Sequence, residues 1–160
     1  MYRIGQSRDI HRLESNNRRL IVAGVLLPFD KGPVSHSDGD VVYHALAEAL
    51  LGSLALGDLG LHFPDNDKKY LDYDSSLIVK RCYEMVKNKS YQVVNVDINI
   101  ILEKPRLKDY ILEMRQNVAS LLKTDVSNIS IKAQSNEKIG EVGEGNAIEA
   151  TAIILIKKSI

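Results

Sequence analysis

Two short segments of the chain carry side chains that commonly bind metal ions. Residues 35–44 (SHSDGDVVYH) hold two histidines and two aspartates around one glycine. Asp9 and His11 are separated by one residue, so they face the same side of an extended strand. With His44, they offer a carboxylate and two imidazoles to one ion. Three protein ligands and an open fourth position are typical of a catalytic zinc. The alternative is that these polar residues are unrelated and lie on the surface.

The position of His44 in an apolar helical pattern adds two candidate partners for its ring. Asp40 lies one helical turn before His44 and Glu48 one turn after it. Metal-bound histidines usually donate their second ring N–H to a nearby acceptor. Either carboxylate could therefore orient the imidazole.

His36 and Ser37 lie in a polar segment directly before the same helix. Backbone N–H groups at a helix N-terminus, joined by hydroxyl and imidazole donors, form a natural anion site. The alternative, which base rates favour, is a plain capping loop in which Asp38 or Asp40 caps the helix.

Two further loops combine polar side chains with turn residues. Residues 57–65 (GDLGLHFPD) could hold the hydroxyl groups of a polyol through Asp58 and Asp65, or form an ordinary surface loop. Residues 133–138 (AQSNEK) follow a strand and include Glu137. This carboxylate could hold Mg²⁺, which usually takes one or two carboxylates plus phosphate oxygens, or the segment is a polar turn.

The composition indicates one soluble globular domain, which we expect to span residues 1–160. Apolar residues make up 44% of the chain, and Lys+Arg and Asp+Glu both number 21. A balanced charge gives no overall field to attract nucleic acid or an anionic membrane. No apolar run approaches the roughly 18 residues of a membrane span. Cys82 is the only cysteine, which fits a reducing compartment. We expect a bacterial cytoplasmic protein, with the plastid stroma as the alternative.

Hydrophobic periodicity predicts an α+β domain with a mixed sheet whose helices cover one face. The predicted strands begin at Tyr2 and then occupy residues 20–27, 92–103, 129–133 and 148–156. The predicted helices run from the segment 38–40 to about Leu56, from Asp74 or Ser75 onward, and over 108–123. The strand 92–103 is apolar on one face, whereas the other face carries Asn95, Asp97 and Asn99. That polar face indicates a wet surface, a cavity or a subunit contact.

Several of these segments, in this order, resemble the 2-C-methyl-D-erythritol 2,4-cyclodiphosphate synthase family. The resemblance covers nearly the whole chain, and the block from His36 to His44 is its most specific part. The matching segments are 3–12 (RIGQSRDIHR), 35–44, 47–52 (AEALLG), 56–60 (LGDLG), 63–65 (FPD), 135–138 (SNEK) and 143–150 (GEGNAIEA).

The resemblance implies a cyclisation without a protein nucleophile. In the family, the 2-phosphate of 4-diphosphocytidyl-2-C-methyl-D-erythritol 2-phosphate attacks the β-phosphorus, and CMP leaves. Zn²⁺ would bind Asp9, His11 and His44, and Glu137 would hold Mg²⁺ or Mn²⁺. His36 and Ser135 would stabilise charge on the phosphoryl oxygens. The expected catalytic residues are therefore His36, Ser135 and Glu137.

The resemblance also assigns the parts of the substrate to different segments. Asp58, Gly60 and Asp65 would hold the methylerythritol. The CMP moiety would lie along 102–108 and against Ala133 and Gln134. The full set of expected substrate-binding residues is Asp9, His11, His36, Ser37, Asp58, Leu59, Gly60, Phe63, Asp65, Leu102, Pro105, Arg106, Leu107, Lys108, Ala133, Gln134, Ser135, Asn136 and Glu137.

Family members are homotrimers with active sites between subunits, so the resemblance implies the same assembly here. Two alternatives use the same residues: a non-catalytic metal- or nucleotide-binding module, and a phosphohydrolase that uses zinc-bound water. Gln134 and the changed C-terminal loop are the features that favour the first alternative.

Several positions differ from the family pattern. Ser7 and Arg8 replace a glycine and an aromatic residue. We expect Arg8 to face solvent or form a salt bridge, because a cation aimed at zinc would be repelled. Gln134 replaces the first hydroxyl residue of a phosphate-contacting pair, whereas Ser135 keeps the second hydroxyl. Arg106 replaces a lysine, keeping the charge but not the geometry.

The largest difference lies between Ile139 and Gly143. The family's Gly-Phe-Thr-Gly-Arg stretch is shortened, Glu141 stands where an aromatic residue is usual, and the arginine is missing. In the family this arginine lines the trimer axis, where isoprenoid diphosphates can bind. We expect only weak binding of such ligands here, because carboxylates repel a diphosphate.

Overall fold

The computed structural model describes residues 1–159, with four strands at the start of the chain, then three α-helices, then strands and helices in alternation. The strands are β1 (Tyr2–Glu14), β2 (Leu20–Val22), β3 (Val25–Leu27), β4 (Gly32–Pro33), β5 (Tyr91–Ile101), β6 (Ile129–Gln134) and β7 (Ala147–Lys158). The α-helices are α1 (Val41–Ser53), α2 (Leu59–His62), α3 (Ser75–Asn88), α4 (Ile111–Leu122) and α5 (Gly140–Gly143). Short 3₁₀ turns occupy Lys68–Tyr70, Lys108–Tyr110 and Val126–Asn128.

One five-stranded mixed sheet organises these elements, in the order β4-β1-β7-β5-β6. Strands β5 and β6 are parallel and joined through α4, whereas the other pairs in the sheet are antiparallel. Helix α1 packs on β1 and β7, α3 on β5, and α4 on β6. The predicted α+β fold with a mixed sheet is confirmed. Within residues 1–159, the helices are all too short or too polar to span a membrane.

Strand β1 separates a buried face from an open one by simple alternation. Gly5, Ser7 and Leu13 are buried toward the helices, whereas Ile4 and Ile10 are exposed on the other side. Asp9 and His11 lie on the same face of the strand as the buried residues. Both side chains therefore point toward the helical layer, where α1 carries His44.

The approach of α1 to β1 is unusually close, and small residues make it possible. Ala45 and Ala49 are fully buried on the inner face of α1. A Cβ atom added at Gly5 would lie 1.9 Å from the carbonyl oxygen of Ala49, which is backbone and cannot move aside. Gly5 is therefore required at the contact that sets the distance between helix and strand.

Asp40 joins the start of α1 to the hairpin of β2 and β3. It is fully buried and accepts N–H groups from Val42 and Tyr43, so it is the helix N-cap. It also accepts N–H groups from Ala23 and Gly24, which form the hairpin turn. Burial raises the pKa of the Asp40 carboxyl to about 6, although these backbone hydrogen bonds oppose the shift.

The predicted single strand over 20–27 is wrong, because the chain turns in its middle. Ala23 and Gly24 both have positive φ, 48° and 74°, as a two-residue hairpin turn requires. Alanine is a poor signal for such a turn, since the left-handed conformation strains a residue with a Cβ. The carboxylate of Asp40, 16 residues away from Gly24, holds this turn and is invisible to local sequence patterns.

Other boundaries differ less from the prediction. Helix α1 ends at Ser53 rather than near Leu56, since Ala55 has a positive φ of 55°. The loop after it contains the short helix α2, and Asp74 caps α3 as one of the two expected residues. The predicted helix over 108–123 begins with the 3₁₀ turn and becomes α-helical at Ile111.

We predict that Gly5→Ala lowers the free energy of unfolding by about 3 kcal/mol or more, because the new methyl group forces α1 away from β1. Gly52→Ala is the matched control, since Gly52 lies on the exposed side of α1 with no atom within 4 Å of an added Cβ. It should raise the free energy of unfolding by about 0.5–1 kcal/mol through helix propensity. Chemical denaturation of both variants checks this. Equal stability of the two variants would contradict the close-contact explanation.

Candidate active site

Asp9, His11 and His44 converge in the structure, although His44 lies 33 residues beyond His11. Their ligand atoms all lie within 4.8 Å of one another. His11 Nε2 is 2.6 Å from Asp9 Oδ2, and His44 Nδ1 is 3.1 Å from both of these atoms. In the part of the chain that the structure describes, this is the only group of three or more such residues close enough to share an ion.

The spacing of these three atoms fits a divalent ion. A tetrahedral zinc site with bonds of about 2.0–2.2 Å keeps its ligand atoms about 3.3 Å apart. The observed separations of 2.6, 3.1 and 3.1 Å are close to that value. All three side chains are partly buried, so an ion here would be protected while one coordination position faced the adjoining cavity.

The electrostatics of the cluster favour a bound cation. Burial opposes ionisation of Asp9, but the hydrogen bonds and charges of His11 and His44 outweigh it, so the pKa of Asp9 lies well below its usual value. Burial alone would lower the pKa of His44, but the hydrogen bond and charge of Asp9 raise it overall. The site thus already attracts positive charge, in this case protons on imidazole.

The second nitrogen of His44 does not contact either predicted carboxylate. Its Nε2 lies 2.9 Å from Ser37 Oγ and 2.9 Å from Ser75 Oγ. Glu48 instead accepts the hydroxyl of Ser7 and the N–H of Leu59. The prediction that Glu48 or Asp40 orients the ring is wrong. Helical spacing identified neighbours on α1, whereas the actual partners come from the preceding loop and from α3.

A cavity of about 320 Å³ opens beside the three ligands. Five of its other lining residues were expected to bind substrate: Ser37, His36, Leu59, Phe63 and Asp65. Tyr70 and Ile78 also line it, and the sequence did not single them out. The Nε2 atom of His36 is buried without a hydrogen-bond partner among the described residues. Buried polar atoms are normally paired, so an unpaired imidazole nitrogen in a cavity indicates a ligand-binding position.

The loop that carries His36 is held from both sides. Arg18 donates to the carbonyl oxygens of Ser35 and Ser37, so one guanidinium spans the residue between them. On the other side, the carbonyl of His36 accepts the N–H of Asp72 at 2.8 Å. Arg18 was not a sequence candidate, because nothing in its own neighbourhood connects it to residues 35–37.

Asp58 and Gly60 belong to the short helix α2 and its cap. The Asp58 carboxylate accepts the N–H of Leu61 at 3.0 Å, which is the role of an N-cap residue. Leu59, in the first turn of α2, faces the cavity beside the metal ligands. Asp58 does not line that cavity in this structure, so its expected contact with a polyol stays a prediction.

A second polar loop follows β6 and contains Ser135 and Glu137. The Ser135 hydroxyl donates to Glu137 Oε1 at 3.1 Å, and both side chains are exposed. Glu103 holds the loop by accepting the N–H groups of Asn136 and Lys138. Glu137 and Lys138 both adopt positive φ, which turns the chain sharply after β6. Glu103 was missed by the sequence analysis, since its partners lie 33 and 35 residues away.

The segment expected to bind the nucleotide lies beside this second loop. The N–H of Leu102 bonds to the carbonyl of Gln134, which joins the ends of β5 and β6. Leu107 is buried, whereas Arg106, Lys108 and Ala133 are exposed and Pro105 follows a cis peptide bond. The two segments expected to bind CMP thus lie side by side where β5 and β6 end.

The metal ligands and the second loop are far apart within one chain. Asp9 pairs with Ala150, Ala150 with Ile100, and Ile100 with Ala133 across the sheet. Three strand spacings of about 4.8 Å separate Asp9 from Ala133, which gives about 14 Å. None of the residues from 102 to 108 or 133 to 137 lines the cavity at the metal ligands. We call these two separate groups of predicted site residues the half-sites.

The structure shows the contacts of two segments that differ from the family pattern, Arg8 and residues 140–144. Arg8 forms a salt bridge with Glu149 at 2.7 Å on the open face of the sheet, which confirms the prediction that it is salt-bridged. Residues 140–143 form the short helix α5, and Glu141 and Glu144 both accept from the side chain of Asn146. The expected weak binding of isoprenoid diphosphates near this segment stays a prediction.

Comparisons with known proteins agree with this geometry along the whole chain. A curated relative from Brachyspira hyodysenteriae, named 2-C-methyl-D-erythritol 2,4-cyclodiphosphate synthase, is 46% identical over 157 residues, which cover 98% of this chain and 99% of the relative. The structure of IspF from Plasmodium falciparum in a CDP complex has a TM-score of 0.88 and 34% identity, with 99% of this chain and 97% of that chain covered.

A bifunctional IspDF from Campylobacter jejuni contains the same fold as one part of a longer protein. It matches 99% of this chain with a TM-score of 0.94 and 34% identity, but this chain spans only 42% of that protein. A sequence model of the YgbB family matches residues 2–157, which is almost the entire chain. This chain belongs to the YgbB family.

Proposed function

We propose that the chain is a metal-dependent phosphorus–oxygen lyase that forms 2-C-methyl-D-erythritol 2,4-cyclodiphosphate. Its substrate is 4-diphosphocytidyl-2-C-methyl-D-erythritol 2-phosphate, an intermediate of non-mevalonate isoprenoid synthesis. The 2-phosphate oxygen bonds to the β-phosphorus, the bond from that phosphorus to the bridging oxygen breaks, and CMP leaves with that oxygen. The observation that carries this proposal is the convergence of Asp9, His11 and His44 beside the unpaired nitrogen of His36.

Asp9, His11 and His44 would hold Zn²⁺, and Glu137 would hold a second cation, Mg²⁺ or Mn²⁺. One carboxylate suits such an ion, because Mg²⁺ takes most of its remaining ligands from phosphate oxygens and water. When bound, the two ions would polarise the diphosphate and neutralise the charge that develops during the displacement.

The protein side chains supply position and hydrogen bonds rather than a nucleophile. The attacking group is already an anion, so no strong general base is needed, and phosphoryl transfer depends mainly on alignment and charge stabilisation. His36 Nε2 is free to donate to a phosphoryl oxygen, and Arg18 keeps its loop in place. Ser135 offers a hydroxyl donor from the second half-site.

The two half-sites meet if a second subunit places its β6 edge over the metal ligands of the first. We propose a homotrimer in which each active site combines the triad of one subunit with Glu137 and the nucleotide segment of its neighbour. The open face of the sheet supports this assembly, because Ile4, Ile10 and Ile153 are exposed there. Given the bacterial relative, we place the reaction in a bacterial cytoplasm.

The test of the proposed reaction is incubation of the chain with the diphosphocytidyl substrate, Zn²⁺ and Mg²⁺, followed by ³¹P NMR. We expect CMP and a cyclic diphosphate in equal amounts. Inorganic phosphate or an acyclic product would instead indicate a phosphohydrolase. Folded, zinc-loaded protein that releases no CMP would indicate a binding module.

We predict that His44→Ala and Glu137→Ala each abolish turnover but that their mixed trimers recover it. Only His44→Ala should also abolish zinc binding, because Glu137 lies outside the triad. A mixed trimer of either composition has one interface with an intact triad and an intact Glu137, so random mixing gives about a quarter of the wild-type rate. The measurement is CMP release after the two variants are unfolded and refolded together. Separately refolded variants are the control, and no recovery in the mixture would contradict a shared site.

We predict that zinc affinity rises with pH across the titration of His44. The folded protein raises the pKa of His44, so protons compete with the ion more strongly than at a free imidazole. Affinity should therefore fall as the pH drops through this pKa, and binding near neutral pH should release protons. Chelator competition at several pH values gives the slope, and calorimetry in buffers of different ionisation enthalpy gives the proton count. An affinity independent of pH would contradict this prediction.

A further inference from the structure

Ser75 is the polar residue at this site whose role is not explained by substrate or metal contact. It is the first residue of α3 and is fully buried. Its hydroxyl oxygen lies 2.9 Å from His44 Nε2 and 2.5 Å from Asp38 Oδ1. The Ser75 hydroxyl therefore bridges an imidazole and a carboxylate. Which group donates in each of the two hydrogen bonds can be deduced from the neighbouring contacts.

The direction of both hydrogen bonds follows from the Asp38 carboxylate, which acts only as an acceptor. An ionised carboxylate only accepts hydrogen bonds, and Asp38 already accepts the N–H groups of Ser75 at 3.0 Å and Asp40 at 3.1 Å. The hydroxyl proton of Ser75 must therefore point at Asp38. A hydroxyl has only one proton, so the oxygen of Ser75 is left to accept from His44 Nε2.

The contact of Ser37 with the same ring nitrogen agrees with this direction. Its hydroxyl oxygen lies 2.9 Å from His44 Nε2 and accepts the N–H of Gly39 at 3.1 Å. Both serine oxygens can therefore receive the proton on Nε2. With Nε2 protonated, a neutral His44 has its lone pair on Nδ1. Nδ1 is the atom that faces Asp9 and His11 at 3.1 Å.

We propose that Ser75, oriented by Asp38, is a positioning residue that fixes the tautomer and ring orientation of His44, so that Nδ1 is presented to the metal. The inference rests on the metal centre of the proposed function. The inference also connects the metal centre to the loop that carries His36 and Ser37, because Asp38 is the next residue in the chain. Helix α3 thus contributes to metal binding without supplying a ligand.

The first test is the zinc affinity of Ser75→Ala, measured by chelator competition at fixed pH. Removal of such a partner typically weakens metal binding by about 10–100-fold. Ser75→Thr keeps the hydroxyl and should bind zinc more tightly than Ser75→Ala does. Ser76→Ala is the matched control, since Ser76 is the next residue of α3 and lines a different cavity from the one that contains His44. It should bind zinc as the wild type does.

The second test compares the wild type with Ser75→Ala by NMR and separates positioning of the His44 ring from a purely structural role of Ser75. In zinc-loaded wild-type protein labelled with ¹⁵N-histidine, long-range ¹H–¹⁵N spectra should show His44 with a proton on Nε2 and the metal on Nδ1. The same proton should exchange faster with water in Ser75→Ala. A proton on Nδ1, or unchanged zinc affinity in Ser75→Ala, would overturn the inference while leaving the metal centre intact. Failure of the wild type to bind zinc would overturn both.

Discussion

The backbone contact between β1 and α1 is the constraint on which the site depends. Asp9 and His11 lie on β1, and His44 lies on α1, so the gap between these two elements decides whether one ion can reach all three. Gly5 makes that gap small, because any side chain there would collide with the carbonyl of Ala49. The ligands themselves are partly exposed and polar and could not hold the helix in place. Apolar packing beneath them, by Ala45, Ala49 and their neighbours, does so.

Hydrogen bonds around Asp9, His11 and His44 also hold the neighbouring segment 36–44 in place. Asp40 caps α1 and holds the β2–β3 turn, and Asp38 anchors the start of α3. Between them, Gly39 adopts a positive φ of 77° against Pro33, which leaves no room for a side chain. Residues 36–44 therefore carry an imidazole with an unpaired nitrogen, two structural carboxylates and a candidate metal ligand within one tightly held segment. Short segments of this kind position functional groups precisely because their backbone has few alternatives.

The separation of the two half-sites explains why the fold is suited to assembly. A five-stranded sheet places the β1 ligands and the β6 loop about 14 Å apart, too far for one diphosphate to bridge with both sets of side chains. In the proposed homotrimer, a cyclic arrangement of subunits would bring the β6 edge of one copy to the β1 edge of the next. The open face of the sheet combines exposed isoleucines with polar groups, namely Asn95, Asp97, Asn99 and the Arg8–Glu149 ion pair.

The sequence by itself determined the α+β class, the long strands and helices, and the three residues that converge as candidate metal ligands. These depend on local information: alternation in β1 and β5, helical periodicity in α1 and α3, and the one-residue spacing of Asp9 and His11. Only the tertiary structure decided which partners complete the site. Ser75, Arg18 and Glu103 act on residues 17 to 35 positions away, and the hairpin turn at Ala23 depends on Asp40. Such hydrogen bonds leave no periodic pattern, because they depend on where separate elements pack rather than on how each one forms.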